Sequence, residues 1–371
     1  MVSRARKAAA QVSYQQGGRR NMIYNGDTSL CQRRTSSTGI GNGNSGYWVQ
    51  DRWQFYEAGA PNAVITQSQS TTTPDGFYSS LKMLTTTNSG TVASGDLIYL
   101  AQIFEGQDLQ RWNKGDAQAL AITLSFWVNA TQTGTYVVRF LDADNSRHIS
   151  KTYTVDSADT WEYKTLTYAG DTTGAFGNDV NASLYVQWGL VAGTDWTSGT
   201  LATDWASSSG ADTTAFEPCD AFDDDGDMFH ITGVQMELGN VATDFQYETY
   251  AENLARCQRY YEDWPLGSYT ATGNSYATNA FVGCQFPFRV TKRATPTLGH
   301  PTIGTSSGNV NVTNAGGNWI TTQPNDLGSA SSVAQGLVYI TSGQSAAGLT
   351  DDGIMSIYLA GTGSLTFDSE L

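Results

Sequence analysis

The sequence predicts an all-β protein: a β-sandwich, then one short helix, then a second and smaller β-sandwich domain. Three observations point there. Only 15 % of the 371 residues are charged, against about 25 % in an average globular domain, so the Glu, Lys and Arg that cover the wet faces of helices are scarce. The chain holds 39 glycines, 19 tyrosines and 10 tryptophans, a mixture of turn formers and large rings that suits sheets. Short runs alternating apolar and polar residues recur between clusters of Gly, Asn, Asp and Ser, the period of strands buried on one side.

Residues 1–20 are small and basic without periodicity, which reads as an arm ordered by a partner. Strand-like runs follow at Tyr47 to Trp53, Ala63 to Gln67, Leu97 to Phe104 and Ala119 to Val128. In the last of these Leu120, Ile122, Leu124, Phe126 and Val128 share one face, with Ala121, Thr123, Ser125 and Trp127 on the other. TYVVRFLDAD and NASLYVQWGL repeat the pattern. Residues 190–227 form a long polar loop with two TDW triplets, ending at Trp196 and Trp205. HITGVQMEL is the next strand. TYAENLARCQRYYEDW is the one helical passage, with Tyr250, Leu254, Cys257 and Tyr261 on a single stripe, Glu252 and Arg256 paired outside, and Pro265 and Gly267 as its end. AFVGCQFPFRV, ATPTLGH, VNVTN, LVYITS and MSIYLAG return to strands. The expected organisation is an arm (1–20), a sandwich (21–247), a connecting helix (248–264) and a C-terminal sandwich (265–371).

Charge excludes some function classes. Twenty basic residues against 35 acidic ones give a net charge of −15, which argues against generic nucleic-acid binding. Residues 1–35 hold seven bases and one acid, so 13 bases face 34 acids in the remainder. A basic arm leads an acidic body. No apolar run reaches the roughly 20 residues of a membrane span, and the opening residues lack the apolar region of a signal peptide. Four cysteines without a two-residue pair spacing suggest free thiols from a reducing cytoplasm rather than a zinc site or a disulfide framework.

Motifs for chemistry are sparse. Gly41 to Gly46 matches G-x-G-x-x-G by letter, but a polar loop precedes it and a strand-like run follows, so it reads as a turn. The run from Asp223 to Asp227 offers Asp223, Asp225 and Asp227 as candidate calcium ligands. It is not an EF-hand, since Ala221 and Thr232 stand where that loop needs an acid and a bidentate glutamate. A solvated acidic turn is the plainer reading. The three histidines are widely spaced, no nucleophile elbow is present, and no cofactor is expected. Trp196 and Trp205 stand among small polar residues, where flat rings suit stacking on sugar faces; plugging the end of the sandwich or meeting another subunit is the alternative.

Several strings together resemble bacteriophage virion proteins of the tail-fibre and appendage type: NMIYNGDTSLCQRRTS, YWVQDRW, ALAITLSFWVNATQTGTY, DTWEYKTLTYAGDTTG and FHITGVQMELGNVATDFQYETYAENLARCQRYYE. The resemblance runs over residues 21–262, with Asp244 and Gln246 replacing a usual proline and glutamate at the strand-to-helix corner. PFRVTKRATPT and the terminal SEL resemble the small β domain that follows in such proteins. The resemblance implies a jelly roll like that of carbohydrate-binding modules, a homotrimer within an assembled particle, and no catalytic motif. Trp53 and Trp127 are then expected between the sheets, Asp51 and Arg52 at a corner, and the Glu237 carboxylate on backbone N–H groups. The implied function is a non-enzymatic fibre or appendage protein of the virion, assembled in the host cytoplasm, that contacts host surface glycan or receptor. Docking to neck, tail or capsid falls to the arm residues Arg4, Arg6, Lys7, Arg19 and Arg20. The alternatives are a capsid decoration or neck protein and, from another class, a glycan depolymerase.

Overall fold

A computed structural model describes residues 19–215, 220–265, 270–274, 284–299, 310–314, 327–330, 335–340, 354–359 and 364–371. The chain divides into two compact units, Met1–Asn253 with Leu371, and Leu254–Glu370. Among the described residues no helix is long and apolar enough to cross a membrane.

The first unit contains strands β1 (Ser36–Gly41), β2 (Gly46–Tyr47), β3 (Gln54–Ala58), β4 (Val64–Ser70), β5 (Ser80–Thr87), β6 (Leu97–Glu105), β7 (Ile122–Ala130), β8 (Gly134–Asp142), β9 (Arg147–Val155), β10 (Glu162–Tyr168), β11 (Ala182–Ala192), β12 (Ala206–Ser207) and β13 (Met228–Leu238). They form two antiparallel sheets, β1-β4-β5-β13-β7-β10 and β12-β9-β8-β11-β6-β3-β2. From β5 onward the chain crosses repeatedly between the sheets, so sequence neighbours are mostly split between layers, as in a jelly roll.

Alternation along each strand builds the core. In β7 the expected face, Ile122, Leu124, Phe126 and Val128, is buried. Phe126 meets Trp188 of β11 edge-on at 6.0 Å and Tyr153 of β9 at 5.1 Å. Trp53 lies 5.4 Å from Trp188, fully buried as expected, with its Nε1–H donated to the Asn25 carbonyl. Each such ring contributes on the order of 2–3 kcal/mol by leaving water. Trp127 corrects an expectation: it belongs to the opposite, outer face of β7, half-buried and 5.3 Å from Tyr163. Strict alternation places it there once Phe126 points inward.

The run Tyr47 to Trp53 is not one strand. Arg52 adopts a left-handed backbone (φ 71°), which breaks the extended run between β2 and β3. Arg52 and Asp51 are fully buried at this corner. The guanidinium stacks over Tyr24 and donates to the Ile103 carbonyl, while Asp51 accepts from the backbone and side-chain amides of Gln32. A bulge in β13 rests on Gly233 (φ 61°), where a Cβ would come within 2.6 Å of the Phe77 ring. Glu237 anchors the following turn as expected, accepting the Thr243 N–H at 2.8 Å and the Thr243 hydroxyl at 2.7 Å.

Among the described residues a 3-10 helix (Gly106–Trp112) and two short α-helices, α1 (Thr194–Thr197) and α2 (Tyr250–Gln258), punctuate the sheets. Helix α2 is shorter than its sequence pattern suggests, and the expected stripe is rotated. Cys257 is buried as expected and Leu254 half-buried, but Tyr250 is 67 % exposed, Tyr261 lies in a strand, and Asn253 is buried instead. Glu252 is exposed as expected, but its carboxylate accepts the Thr249 backbone N–H and hydroxyl, a capping box read as T-x-x-E.

In the second unit three antiparallel sheets of three strands are described. Strands β14 (Tyr261–Pro265), β22 (Ser364–Asp368) and β17 (Thr297–Gly299) make one; β15 (Thr270–Asn274), β21 (Ile354–Leu359) and β18 (Val310–Asn314) the next; β16 (Cys284–Pro287), β20 (Gln335–Ile340) and β19 (Leu327–Ala330) the last. Pro265 closes β14 rather than the helix. The CQRYYE string acquires a physical reason here. Glu262, fully buried, holds the Lys292 ammonium at 2.7 Å and the Trp264 indole N–H at 2.7 Å, and Lys292 also caps the Gln258 carbonyl.

Candidate functional site on the outer face of the seven-stranded sheet

The register of the seven-stranded sheet sets out a row of side chains. Tyr47, Gln54, Ala101, Gln187, Arg139 and Ser150 stand directly opposite one another across β2, β3, β6, β11, β8 and β9. Their strand neighbours Phe55, Leu100, Trp188, Val138 and Phe140 are buried and include the core rings, so this row faces outward. Tyr56 and Tyr99 form a parallel row on one side, and Ile103, Tyr185, Leu141 and His148 one on the other.

Aromatic and polar groups meet on this face. Tyr56 and Tyr99 stack with centroids 4.5 Å apart and planes 14° from parallel. Both are half-buried, as is Tyr185. Burial and the neighbouring Tyr56 phenol raise the Tyr99 pKa against the lowering effect of a hydrogen bond with Gln187. The Arg139 guanidinium donates from Nε to Nδ1 of His148 at 3.0 Å, from Nη1 to the Gln187 carbonyl oxygen at 3.4 Å, and from Nη2 to the Ser208 hydroxyl at 2.6 Å. Burial lowers the Arg139 pKa to about 10, against the opposing fields of Tyr99 and Asp212. Burial, then the Arg139 charge, lowers His148 to about 4, so its imidazole is neutral at pH 7.

The long polar loop shapes this face. Its β12 segment pairs with Arg147 and His148 at the edge of the sheet. From there the chain passes inward: Ser208 reaches Arg139, Asp212 bears on both Arg139 and His148, and Thr214 covers Gly189, whose added Cβ would meet the Thr214 methyl at 2.9 Å. The face is thus roofed over β9 and β8, with His148 and Ser150 fully buried, and partly open over β6 and β3. Planar rings beside fixed donors and acceptors can stack on a pyranose and hydrogen-bond its hydroxyls.

The residues expected from sequence lie elsewhere. Trp196 is half-buried in α1 and donates its indole N–H to the Gly95 carbonyl at 2.9 Å. Trp205 donates to the Ala169 carbonyl at 2.7 Å and carries the Lys114 ammonium over its ring at 5.2 Å. The two rings pack against different neighbours, and each indole N–H is held by backbone. Arg19 and Arg20 belong to the folded unit rather than to a free arm. Arg19 pairs with Glu248 at 2.6 Å, and the Arg20 backbone N–H is held by Gln246, the residue that replaces the usual glutamate at this corner. Arg4, Arg6 and Lys7 lie outside the described residues.

For calcium, Asp223 and Asp225 are exposed and Asp227 is buried. Asp225 accepts the Asn88 N–H, and Asp227 accepts the Thr131 hydroxyl, the Gln132 amide and the Asp224 N–H, so these oxygens tie down the turn. Among the described residues no group of three or more His, Cys, Asp or Glu side chains is arranged to hold a metal ion. A cation-binding arrangement exists at the Lys114 ammonium, which is buried between Asp142 (2.5 Å) and Asp171 (3.0 Å) and donates to the carbonyls of Thr173 and Gly174.

A signal for the tyrosine face was present in the sequence. In NASLYVQWGL the alternation that buries Leu184, Val186 and Trp188 sends Tyr185 and Gln187 outward together, and in LIYLAQIF it does the same for Tyr99.

No family model matches this sequence, and no curated protein does. Among solved structures the chain is similar to the enzymatically active domain of tailspike protein 4 of bacteriophage CBA120 (TM-score 0.32, 14 % identity, 59 % of this chain and 21 % of that one). It thus spans about a fifth of that tailspike chain. It is also similar to a CBM4 carbohydrate-binding module (TM-score 0.30, 12 % identity, 58 % of this chain and 99 % of that one). A third similarity is to the family 11 carbohydrate-binding module of a cellulosomal cellulase from Clostridium thermocellum (TM-score 0.27, 8 % identity, 57 % and 98 %).

Proposed function

We propose that this chain is a non-enzymatic structural component of a tailed-phage virion, of the fibre or appendage type, that contacts host surface glycan through the outer face of its seven-stranded sheet. The observation that carries the reading is the stacked Tyr56–Tyr99 pair set beside Gln187 and Arg139. Half-buried rings held by neighbours are preorganised, so little side-chain entropy is lost when a sugar lands on them. The virion assignment rests on the sequence resemblance over residues 21–262. Docking falls to the basic segment containing Arg4, Arg6 and Lys7, complementary to an acidic particle surface.

The test is competition. Full-length protein added to host cells should reduce phage adsorption, and the variant carrying Tyr56→Ala and Tyr99→Ala should not. Equal competition by both proteins contradicts the glycan face, and no competition by either contradicts host contact.

A second reading, a decoration or neck protein that cements virion subunits, is favoured by a different surface. Tyr78 (94 % exposed), Tyr247 (58 %) and Tyr250 (67 %) lie in the first unit, where Phe77, Phe245 and Tyr247 form a ring cluster. Exposed rings in a patch call for a partner. We further propose, from the homotrimer that the sequence resemblance implies, that this partner is another copy of the chain, and a stable monomer at micromolar concentration by light scattering contradicts it.

A further inference from the structure

Resting on the glycan reading above, we infer that the tyrosine face, closed at one end, is a site that takes the terminus of a neutral saccharide chain rather than an internal stretch. A saccharide stacked on Tyr56 and Tyr99 and running across the strands meets β11 and then β8. There residues 208–214 lie over the sheet and form a wall. Gln187 and Arg139 are almost fully buried, Ser208 is bonded to Arg139 at 2.6 Å, and Thr214 lies on Gly189. The wall is anchored on the sheet rather than resting on it: β12 pairs with β9, Ser208 N–H bonds the Ser146 carbonyl, Ser150 N–H bonds the Ala202 carbonyl, and Thr214 N–H bonds the Trp196 carbonyl. A chain-internal residue needs an exit at both ends, and this segment closes one.

The wall is polar, which suits a chain end. A terminal residue carries a hydroxyl that an internal residue has converted into a glycosidic link, and the half-buried Ser208 hydroxyl, held by Arg139, and Asp212 carboxylate, which accepts the Thr200 N–H through one oxygen, supply groups to bond it. A site built to bond a hydroxyl discriminates strongly against a ligand that lacks it. Charge specifies the class. The Arg139 guanidinium is almost fully buried with its donors taken by His148, Gln187 and Ser208, and the body of the protein is acidic, so no free cation is offered to a carboxylated or sulfated sugar. A neutral hexose terminus fits.

The test uses full-length protein on arrays of neutral oligosaccharides of three to eight residues (β-1,4-glucan, β-1,3-glucan, β-1,4-galactan and α-1,4-glucan), each attached to the surface by one end or by the other. Calorimetry with the best binder at several lengths follows. The inference expects binding that vanishes when one particular end is the attached one, and one protein bound per chain at every length. Conversion of Ser208 to Ala together with Asp212→Asn should reduce affinity at least tenfold for the free-end probe. Binding that is sensitive to Tyr99→Ala but scales in stoichiometry with chain length overturns the chain-end inference and leaves the glycan reading standing. Binding insensitive to both Tyr56→Ala and Tyr99→Ala, or no binding to any of these glycans or to host polysaccharide, overturns the glycan reading and this inference with it.

Discussion

The Arg139 guanidinium donates through Nε to Nδ1 of His148 at 3.0 Å, so the imidazole accepts at that nitrogen and carries its hydrogen on Nε2. A permanent charge beside a buried ring keeps the ring neutral. His230 is likewise lowered to about 4, by burial and then by Lys82, and its Nδ1 faces the Ser80 hydroxyl at 3.1 Å.

The pH dependence of stability follows from these two rings. Their folded pKa values near 4 lie below the ordinary 6.5, so the unfolded chain takes up protons first as pH falls. Stability should be flat above pH 6.5 and decline from there to about pH 4. Urea denaturation at intervals between pH 7.5 and 4.5 measures this slope, and His230→Gln should flatten it. A slope that is unchanged in the variant contradicts the assignment to His230.

Removing the Lys114 ammonium leaves Asp142 and Asp171 facing each other without a cation. Breaking one side of a buried ion pair costs about 3–5 kcal/mol, and Arg147, which holds Asp171 at 2.7 Å, offsets part of it. Lys114→Met should therefore lower the denaturation midpoint sharply by thermal melting. Because the ammonium already neutralises this cluster, millimolar calcium should leave the wild-type melting temperature unchanged. A calcium-dependent rise would point instead to a metal site.

The capping box at α2 is a smaller, local determinant. Thr249→Ala removes the hydroxyl that bonds Glu252 at 2.7 Å and the Glu252 N–H. The loss should be about 1 kcal/mol, as for other N-caps, measured by chemical denaturation. The neighbouring Tyr250→Ala should change the stability of the isolated monomer by less than about 0.5 kcal/mol, while weakening self-association measured by light scattering.

Gly233 should tolerate no side chain. Its left-handed backbone and the 2.6 Å approach to the Phe77 ring predict that Gly233→Ala destabilises the first unit. Near-ultraviolet circular dichroism, which reports the packing of Phe77 and Trp127, should change together with the melting curve.

Much of the fold was legible because period-2 alternation is a direct consequence of strand geometry. Phe126 and Val128 could be assigned inward from their spacing alone, and the same spacing should have sent Trp127 outward. The corner at Gln50 to Trp53 was not legible, since nothing in YWVQDRW announces that Arg52 takes a left-handed backbone. The helix was over-extended for a related reason. Tyr261 continues a helical stripe in the sequence, but β14 pairing with β22 claims it for a sheet. The candidate site was missed because its members come from β3, β6, β8, β9 and β11. Only strand register brings Tyr56 beside Tyr99 and Gln187 beside Arg139, and register is set by long-range pairing. Trp196 and Trp205 stand out in the sequence for their polar neighbours, whereas in space their N–H groups are bonded to backbone carbonyls.

Hydroxyl-radical footprinting of the full-length protein, with and without host surface polysaccharide, tests the glycan face residue by residue. The account predicts that Tyr56, Tyr99 and Tyr185 lose reactivity when polysaccharide is present, while Tyr78, Tyr247 and Tyr250 keep theirs. Unchanged reactivity at Tyr56, Tyr99 and Tyr185, with protection appearing at Trp196 and Trp205 or at the exposed tyrosine patch, would contradict it.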